Sequence, residues 1–160
     1  MMTSSELFTL ESGVSVTRDF VALDRDSAIA PIISQLDDRA GVLLSSGFEY
    51  PGRYTRWDIG FVDPPLKIVG RGRHFDILAL NARGEQLLSM LLTSIKALDF
   101  VENLTFSASV ISGVIVDSST HFTEEDRSRR PSIFSLLRFF ISFFKCPDDP
   151  YLGLYGSFGY

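Results

Sequence analysis

A long amphipathic helix, flanked on both sides by strand-like segments, constrains the fold of this chain more than any other feature. Between Arg83 and Leu98, leucine and isoleucine recur at helical spacing, while Glu85, Ser89 and Lys96 fall on the opposite side. The apolar face comprises Leu87, Leu88, Leu91, Leu92, Ile95 and Leu98. Because such a helix has one face to bury, we expect it to pack on a sheet.

The segments around that helix alternate apolar and polar residues and are separated by turn residues. Pro51-Gly52 and the glycines of Gly70-Arg71-Gly72-Arg73 are turn signals, and Asp24–Leu36 has the spacing of a second helix. The predicted strands are Val14–Val21, Arg39–Phe48, Arg53–Val62, Leu66–Gly70, His74–Leu80 and Leu104–Val116. The sequence therefore predicts an α+β fold, mostly antiparallel sheet packed with helices.

The last third of the chain predicts a loop, a helix and a strand. Residues 117–130 are polar and charged, which is typical of a flexible loop. The residues after Pro131 are apolar around nearly the whole helical circumference, so this helix is expected to be enclosed between other elements. The segment 151–160 alternates small and large residues as a strand would. Since that strand would end on an unpaired edge, we expect a single domain over residues 1–160 that is the front part of a longer protein.

Composition excludes several classes of function. The net charge of −5 disfavours binding to nucleic acid, which requires a broad positive surface. The one cysteine, Cys146, cannot form an internal disulfide, and a reducing cytoplasmic location is expected. The two histidines, His74 and His121, do not have the spacing of metal ligands. The apolar run from Ile133 to Phe144 is too short to span a membrane, since a span takes about 20 residues.

The Gly-Arg-Gly-Arg segment at 70–73 has two readings. Glycine-rich loops that bind phosphate open into a helix, whose N-terminus faces the anion. A strand follows here, beginning at His74, which favours a β-turn between strands. His74 itself is expected at the surface.

The most informative stretch runs from Leu43 to Asp58 and reads LLSSGFEYPGRYTRWD. Together with the segment that follows it as far as GRG, with RRPSIFSLLRFF and with the closing YLGLYGSFGY, it resembles the N-terminal region of the anthranilate synthase large subunit. The resemblance covers most of residues 42–160, and it is strongest to the versions in which a glutamine amidotransferase is fused to the same chain.

The resemblance implies the N-terminal part of the chorismate-utilising anthranilate synthase fold. It implies conversion of chorismate to anthranilate and pyruvate with ammonia from glutamine, the first step of tryptophan biosynthesis, and feedback inhibition by tryptophan. Mg²⁺ and chorismate belong to the catalytic part of the family, which this chain lacks. We therefore expect no catalytic residue and no metal in this chain, which alone should be inactive. The glutamine amidotransferase, as a domain or a subunit, and L-tryptophan are the expected partners.

The family's N-terminal region contributes to a tryptophan pocket through a Leu-Leu-Glu-Ser block and a basic residue some ten positions later. The block corresponds here to Leu43, Leu44, Ser45 and Ser46, and the basic residue to Arg56, so the expected tryptophan-binding residues are Leu44, Ser45, Ser46 and Arg56. Ser45 stands where the motif has glutamate, and an uncharged hydroxyl binds the ligand's ammonium more weakly than a carboxylate would. Arg56 would meet a carboxylate, either that of the ligand or that of Asp58. Trp57 is expected to serve core packing.

Two alternatives stay open from the sequence. Another chorismate-using enzyme of the aminodeoxychorismate synthase type shares the layout of the family. A non-catalytic module that binds an amino acid or assembles with a partner chain would also use a small-molecule pocket at the Leu-Leu-Ser-Ser block or an exposed final strand.

Overall fold

The computed structural model describes residues 3–47, 49–53, 57–117, 130–149 and 151–159. Within these residues it contains eight strands and three helices, which confirms the predicted α+β class. The strands are β1 Thr3–Thr9, β2 Ser15–Val21, β3 Gly41–Ser46, β4 Trp57–Val62, β5 Leu66–Arg71, β6 His74–Ala79, β7 Val101–Phe106 and β8 Val110–Ile115. The helices are α1 Arg25–Leu36, α2 Ala82–Lys96 and α3 Ile133–Phe143.

The chain divides into two compact units, Pro65–Phe143 and the combination of Met1–Pro64 with Phe144–Tyr160. The single domain expected over residues 1–160 stays a prediction. The flexible loop expected at 117–130 falls largely on residues 118–129, which lie outside the described residues, as does His121.

The unit Pro65–Phe143 is built on a four-stranded antiparallel sheet in the order β5-β6-β8-β7. The predicted amphipathic helix is confirmed as α2, which packs on this sheet. Apolar residues from the sheet and the two helices form the core, and they are almost fully buried. They are Phe75, Ile77, Leu88, Leu91, Ile95, Ile111, Ile115, Leu136 and Phe140.

The start of α2 is fixed by an N-cap residue and by one glycine. The Asn81 side chain accepts a hydrogen bond from the Gly84 N–H at 3.1 Å, so Asn81 is the N-cap. A Cβ on Gly84 would lie 2.0 Å from the carbonyl oxygen of Pro65, so only glycine allows the first turn of α2 to approach the chain this closely.

The single strand predicted over Leu104–Val116 is wrong, because this segment belongs to a hairpin formed by β7 and β8. The Ser107 N–H donates to the carbonyl oxygen of Val110 at 2.8 Å, and the Ser109 N–H donates to Ser107 Oγ at 3.3 Å. Serine hydroxyls that bind the local backbone favour turns. A short Ser-Ala-Ser turn within an otherwise apolar segment is a weak sequence signal. The residues on both sides of it have a strand pattern, so the segment was predicted as one strand.

The Gly-Arg-Gly-Arg segment is a β-turn, as its context predicted. β5 and β6 are joined at Gly72, whose φ of 62° is in the left-handed region, and Arg71 pairs with His74. His74 is exposed, as expected. Arg73 donates to the carbonyl oxygens of Val116 at 2.8 Å and Pro131 at 3.3 Å, and pairs with Asp117 at 3.1 Å. One guanidinium group therefore joins the end of β8 to the approach to α3.

The prediction that the helix after Pro131 is enclosed on all sides is wrong. Leu136 and Phe140 of α3 are buried, but Phe134 is 50% exposed and Ile141 is 57% exposed. Residues four apart lie on one face of a helix, so the buried pair defines the covered stripe and the other two lie off it. None of the described helices is long and apolar enough to cross a membrane.

The other unit contains two hairpins, β1–β2 and β3–β4, and α1. The sequence did not predict β1, which pairs with the expected strand β2. Arg18 of β2 forms ion pairs with Glu6 of β1 at 2.5 Å and with Asp149 at 2.8 Å, and so joins the hairpin to the final segment of the chain.

The strand predicted at the end of the chain is wrong, because the described residues 151–159 form no strand. Added Cβ atoms at Gly153, Gly156 and Gly159 would meet nothing within 4 Å, so no described atom lies close to the side-chain positions of these glycines. A strand is stabilised by its ladder of hydrogen bonds to a neighbour, and alternation in the sequence cannot replace that neighbour.

Candidate functional site

The predicted tryptophan-binding block lies on the β3–β4 hairpin, whose register determines which side chains share a face. Ser45 is directly opposite Asp58, and Leu43 is opposite Gly60. Directly opposed residues of an antiparallel pair project to the same face, and successive residues to opposite faces. Leu43, Ser45, Asp58 and Gly60 therefore share one face.

Helix α1 covers that face of the hairpin. Asp24 caps the helix by accepting from the Ser27 N–H at 3.4 Å. A Cβ on Gly60 would lie 3.3 Å from Cδ1 of Ile32, which shows how closely α1 approaches the strand. The absence of a side chain at Gly60 permits this close approach.

A cleft of about 320 Å³ lies between α1 and the β3–β4 hairpin. Its walls are mostly apolar, and among its lining residues Asp58 alone carries a charge. The lining residues are Ala28, Ile29 and Ile32 of α1 with Leu43, Trp57, Asp58 and Gly60 of the hairpin. A small molecule with an apolar body and one polar or cationic group suits such a cleft.

Ser45 holds the Asp58 carboxylate across the hairpin. The Ser45 hydroxyl donates to Asp58 Oδ1 at 2.5 Å. Hydrogen bonds to an ionised acceptor are shorter and stronger than neutral ones, so this contact orients the carboxylate. Ser45 is exposed and Asp58 is half-buried, so the pair remains accessible to a ligand.

The structure separates the predicted site residues. Ser45 is on the same face as Asp58, whereas Leu44 and Ser46 project to the other face. Leu44 is 39% exposed and Ser46 is half-buried. Arg56, the predicted cation for a carboxylate, lies outside the described residues.

The core-packing role expected for Trp57 is wrong. Trp57 is 46% exposed and borders the cleft. It begins β4, where the strand emerges from the turn region, and a residue at the end of a two-stranded hairpin has few neighbours to cover it.

Helix α1 supplies cleft residues that were not predicted as part of the site. Ala28, Ile29 and Ile32 form one wall. The helical spacing of the isoleucines identified an apolar face, but only the close approach at Gly60 shows that part of this face lines a cleft.

The turn before β4 confirms the Pro51-Gly52 signal. The Arg53 N–H donates to the carbonyl oxygen of Tyr50 at 2.9 Å, and Gly52 has a φ of 78°. Proline and glycine at the two central positions of a β-turn suit this geometry. The Arg53 guanidinium lies 5.8 Å from the centre of the Tyr50 ring, so this arginine is stacked within the turn.

Among the described residues, no group of three or more histidine, cysteine, aspartate or glutamate side chains is placed to hold a metal ion. Cys146 is buried and not paired in a disulfide.

Comparison with known proteins gives a match along nearly the whole chain. Over 153 residues, 96% of this chain, the sequence is 44% identical to a curated protein from Azospirillum brasilense named anthranilate synthase. The chain is similar to an anthranilate synthase. The matched segment is 21% of that relative, so the chain spans about a fifth of the length of the anthranilate synthase. No protein-family model matches the chain. No solved structure matches it.

Proposed function

We propose that the chain is the N-terminal part of an anthranilate synthase of the type in which the glutamine amidotransferase is fused to the large subunit. The observation that carries this proposal is the 44% identity over 96% of the chain to a protein of that name. The sequence blocks at Leu43–Asp58 and 151–160 support it, because both resemble the same part of the family and occur in the same order along the chain.

Under this proposal the whole protein converts chorismate to anthranilate and pyruvate in tryptophan biosynthesis, using ammonia that the amidotransferase releases from glutamine. By the family resemblance, the magnesium ligands belong to the chorismate-binding catalytic part. The described residues have no cluster of ligands for magnesium, so no catalytic step is assigned to them. This chain alone is proposed to turn over no chorismate, and the whole protein is proposed to act in the cytoplasm.

The proposed role of this chain is to carry the tryptophan feedback site in the cleft between α1 and the β3–β4 hairpin. Apolar walls suit the indole ring, and Ile29, Ile32 and Leu43 provide them. Asp58 and Ser45 provide the polar end. Arg56 is proposed to meet the ligand's carboxylate, as the sequence predicts.

The test is an assay of the product of the gene read past codon 160. Mixed with chorismate, Mg²⁺ and either glutamine or ammonium, that product is expected to form fluorescent anthranilate, and tryptophan is expected to inhibit the reaction. The 160-residue chain is the matched control and is expected to form none. A longer product that makes aminodeoxychorismate, or no aromatic amine at all, would contradict the proposal.

A non-catalytic amino-acid-binding module is the second candidate, because the cleft combines apolar walls with the carboxylate of Asp58. The two candidates differ in one outcome. A gene product that binds tryptophan but forms no anthranilate under any nitrogen source favours the binding module.

A further inference from the structure

The position of negative charge in the cleft is set by the hairpin register. Ser45 and Asp58 are directly opposite each other, and the hydroxyl donates to the carboxylate at 2.5 Å. Opposed residues have Cβ atoms about 5 Å apart. The Asp58 carboxylate therefore projects from the face of the hairpin that carries residue 45. It is attached to the neighbouring strand.

We infer that Asp58, oriented by Ser45, is the residue that binds the ammonium group of an amino-acid ligand in this cleft. This inference rests on the proposed function and deepens it, since it assigns to one residue the charge that the Leu-Leu-Ser-Ser block lacks. The ligand class is an α-amino acid or amine with an apolar body. The indole, isobutyl or similar group contacts α1 and Leu43, and the ammonium contacts Asp58.

The chemistry of the pair favours Asp58 over Ser45 in this role. The hydroxyl proton of Ser45 is directed at Asp58, so its oxygen can only accept a hydrogen bond from a ligand, and this oxygen is uncharged. A carboxylate is negatively charged and offers about four acceptor positions, so it attracts an ammonium group more strongly than a hydroxyl does. A glutamate at position 45 would face Asp58 directly, and like charges in that relation are destabilising. The serine is therefore compatible with an acid at position 58.

The test compares three ligands by calorimetry on the 160-residue chain. L-Tryptophan carries both charged groups, tryptamine lacks the carboxylate and indole-3-propionate lacks the ammonium. The chain is expected to bind tryptophan and tryptamine, and to bind indole-3-propionate at least about tenfold more weakly than tryptophan, the loss expected for one charged hydrogen bond. Equal affinity for tryptophan and indole-3-propionate would overturn the inference without any variant.

Asp58→Asn is expected to weaken the binding of tryptophan and tryptamine at least about tenfold. The affinity for indole-3-propionate is expected to stay within about twofold of the wild-type value. Asp76→Asn is the matched control, because Ser112 donates to Asp76 at 2.6 Å across β6 and β8 in the same manner and Asp76 does not line the cleft. If wild type binds no tryptophan, the feedback site fails and so does this inference. If wild type binds tryptophan and Asp58→Asn binds it equally well, only the inference fails.

Discussion

Ser45 and Asp58 are directly opposite each other on β3 and β4, and the serine hydroxyl donates to the carboxylate at 2.5 Å. The same relationship occurs between Ser112 and Asp76 on β8 and β6 at 2.6 Å. Asp58 lines the cleft between α1 and the β3–β4 hairpin and Asp76 does not line that cleft, so the two pairs share a local geometry and differ in their surroundings.

Placing the motif glutamate at position 45 is expected to destabilise the hairpin. Ser45→Glu puts two carboxylates directly opposite each other, and we expect the free energy of unfolding to fall by about 0.5–1 kcal/mol in urea denaturation. The double variant Ser45→Glu/Asp58→Ser moves the charge to the other strand and should recover most of that loss. Equal stability of Ser45→Glu and wild type would show that the opposed charges do not interact.

Filling the floor of the cleft is expected to remove ligand binding. A Cβ on Gly60 would lie 3.0 Å from Cδ1 of Leu43 and 3.3 Å from Cδ1 of Ile32, so Gly60→Val overpacks the contact with α1. We expect a loss of about 1–3 kcal/mol in stability and loss of the heat of tryptophan binding. Gly47→Val is the control on the same hairpin, because a Cβ there meets nothing within 4 Å. Retained binding in Gly60→Val would place the ligand elsewhere.

The sequence predicted most elements of the fold because each depends on local patterns. The periodicity of α2, the helical spacing that follows Asp24 and the turn glycines are all local signals, and all are confirmed. The β7–β8 hairpin and the irregular segment 151–159 were missed, since a serine turn and the absence of a neighbouring strand depend on contacts.

The candidate site was predicted only in part, for the same reason. The Leu-Leu-Ser-Ser block lies on the hairpin that borders the cleft, but strand alternation separates Ser45 from Ser46. The contribution of α1 depends on the close approach at Gly60, which no spacing in the sequence encodes.

Gly84→Ala is expected to reverse the usual effect of this substitution in a helix. Alanine normally stabilises a helix by about 1 kcal/mol relative to glycine. Here the new Cβ would lie 2.0 Å from the carbonyl oxygen of Pro65, so α2 must shift and we expect a loss of about 2–3 kcal/mol. Gly153→Ala, whose Cβ meets nothing within 4 Å, should change thermal stability little. A stabilised Gly84→Ala variant would contradict the packing of α2.

Arg73→Lys is expected to be destabilising although it keeps the charge. The guanidinium contacts Val116, Asp117 and Pro131 together, and a lysine ammonium cannot reproduce that planar set of donors. We expect a loss of about 1–2 kcal/mol in denaturant unfolding. Arg71→Lys in the same hairpin is exposed and should stay within about 0.5 kcal/mol of wild type. Equal effects of the two variants would remove the special role of Arg73.

The most direct test of the account follows the one tryptophan of the chain, Trp57, at the border of the cleft. With 5-fluorotryptophan incorporated at this position, the single fluorine resonance reports on the cleft while added L-tryptophan remains invisible. The account predicts a saturable shift of that resonance on addition of L-tryptophan, and no shift with L-glutamine, which lacks an apolar body. A resonance that does not move at millimolar L-tryptophan would contradict the assignment of a tryptophan site to this cleft.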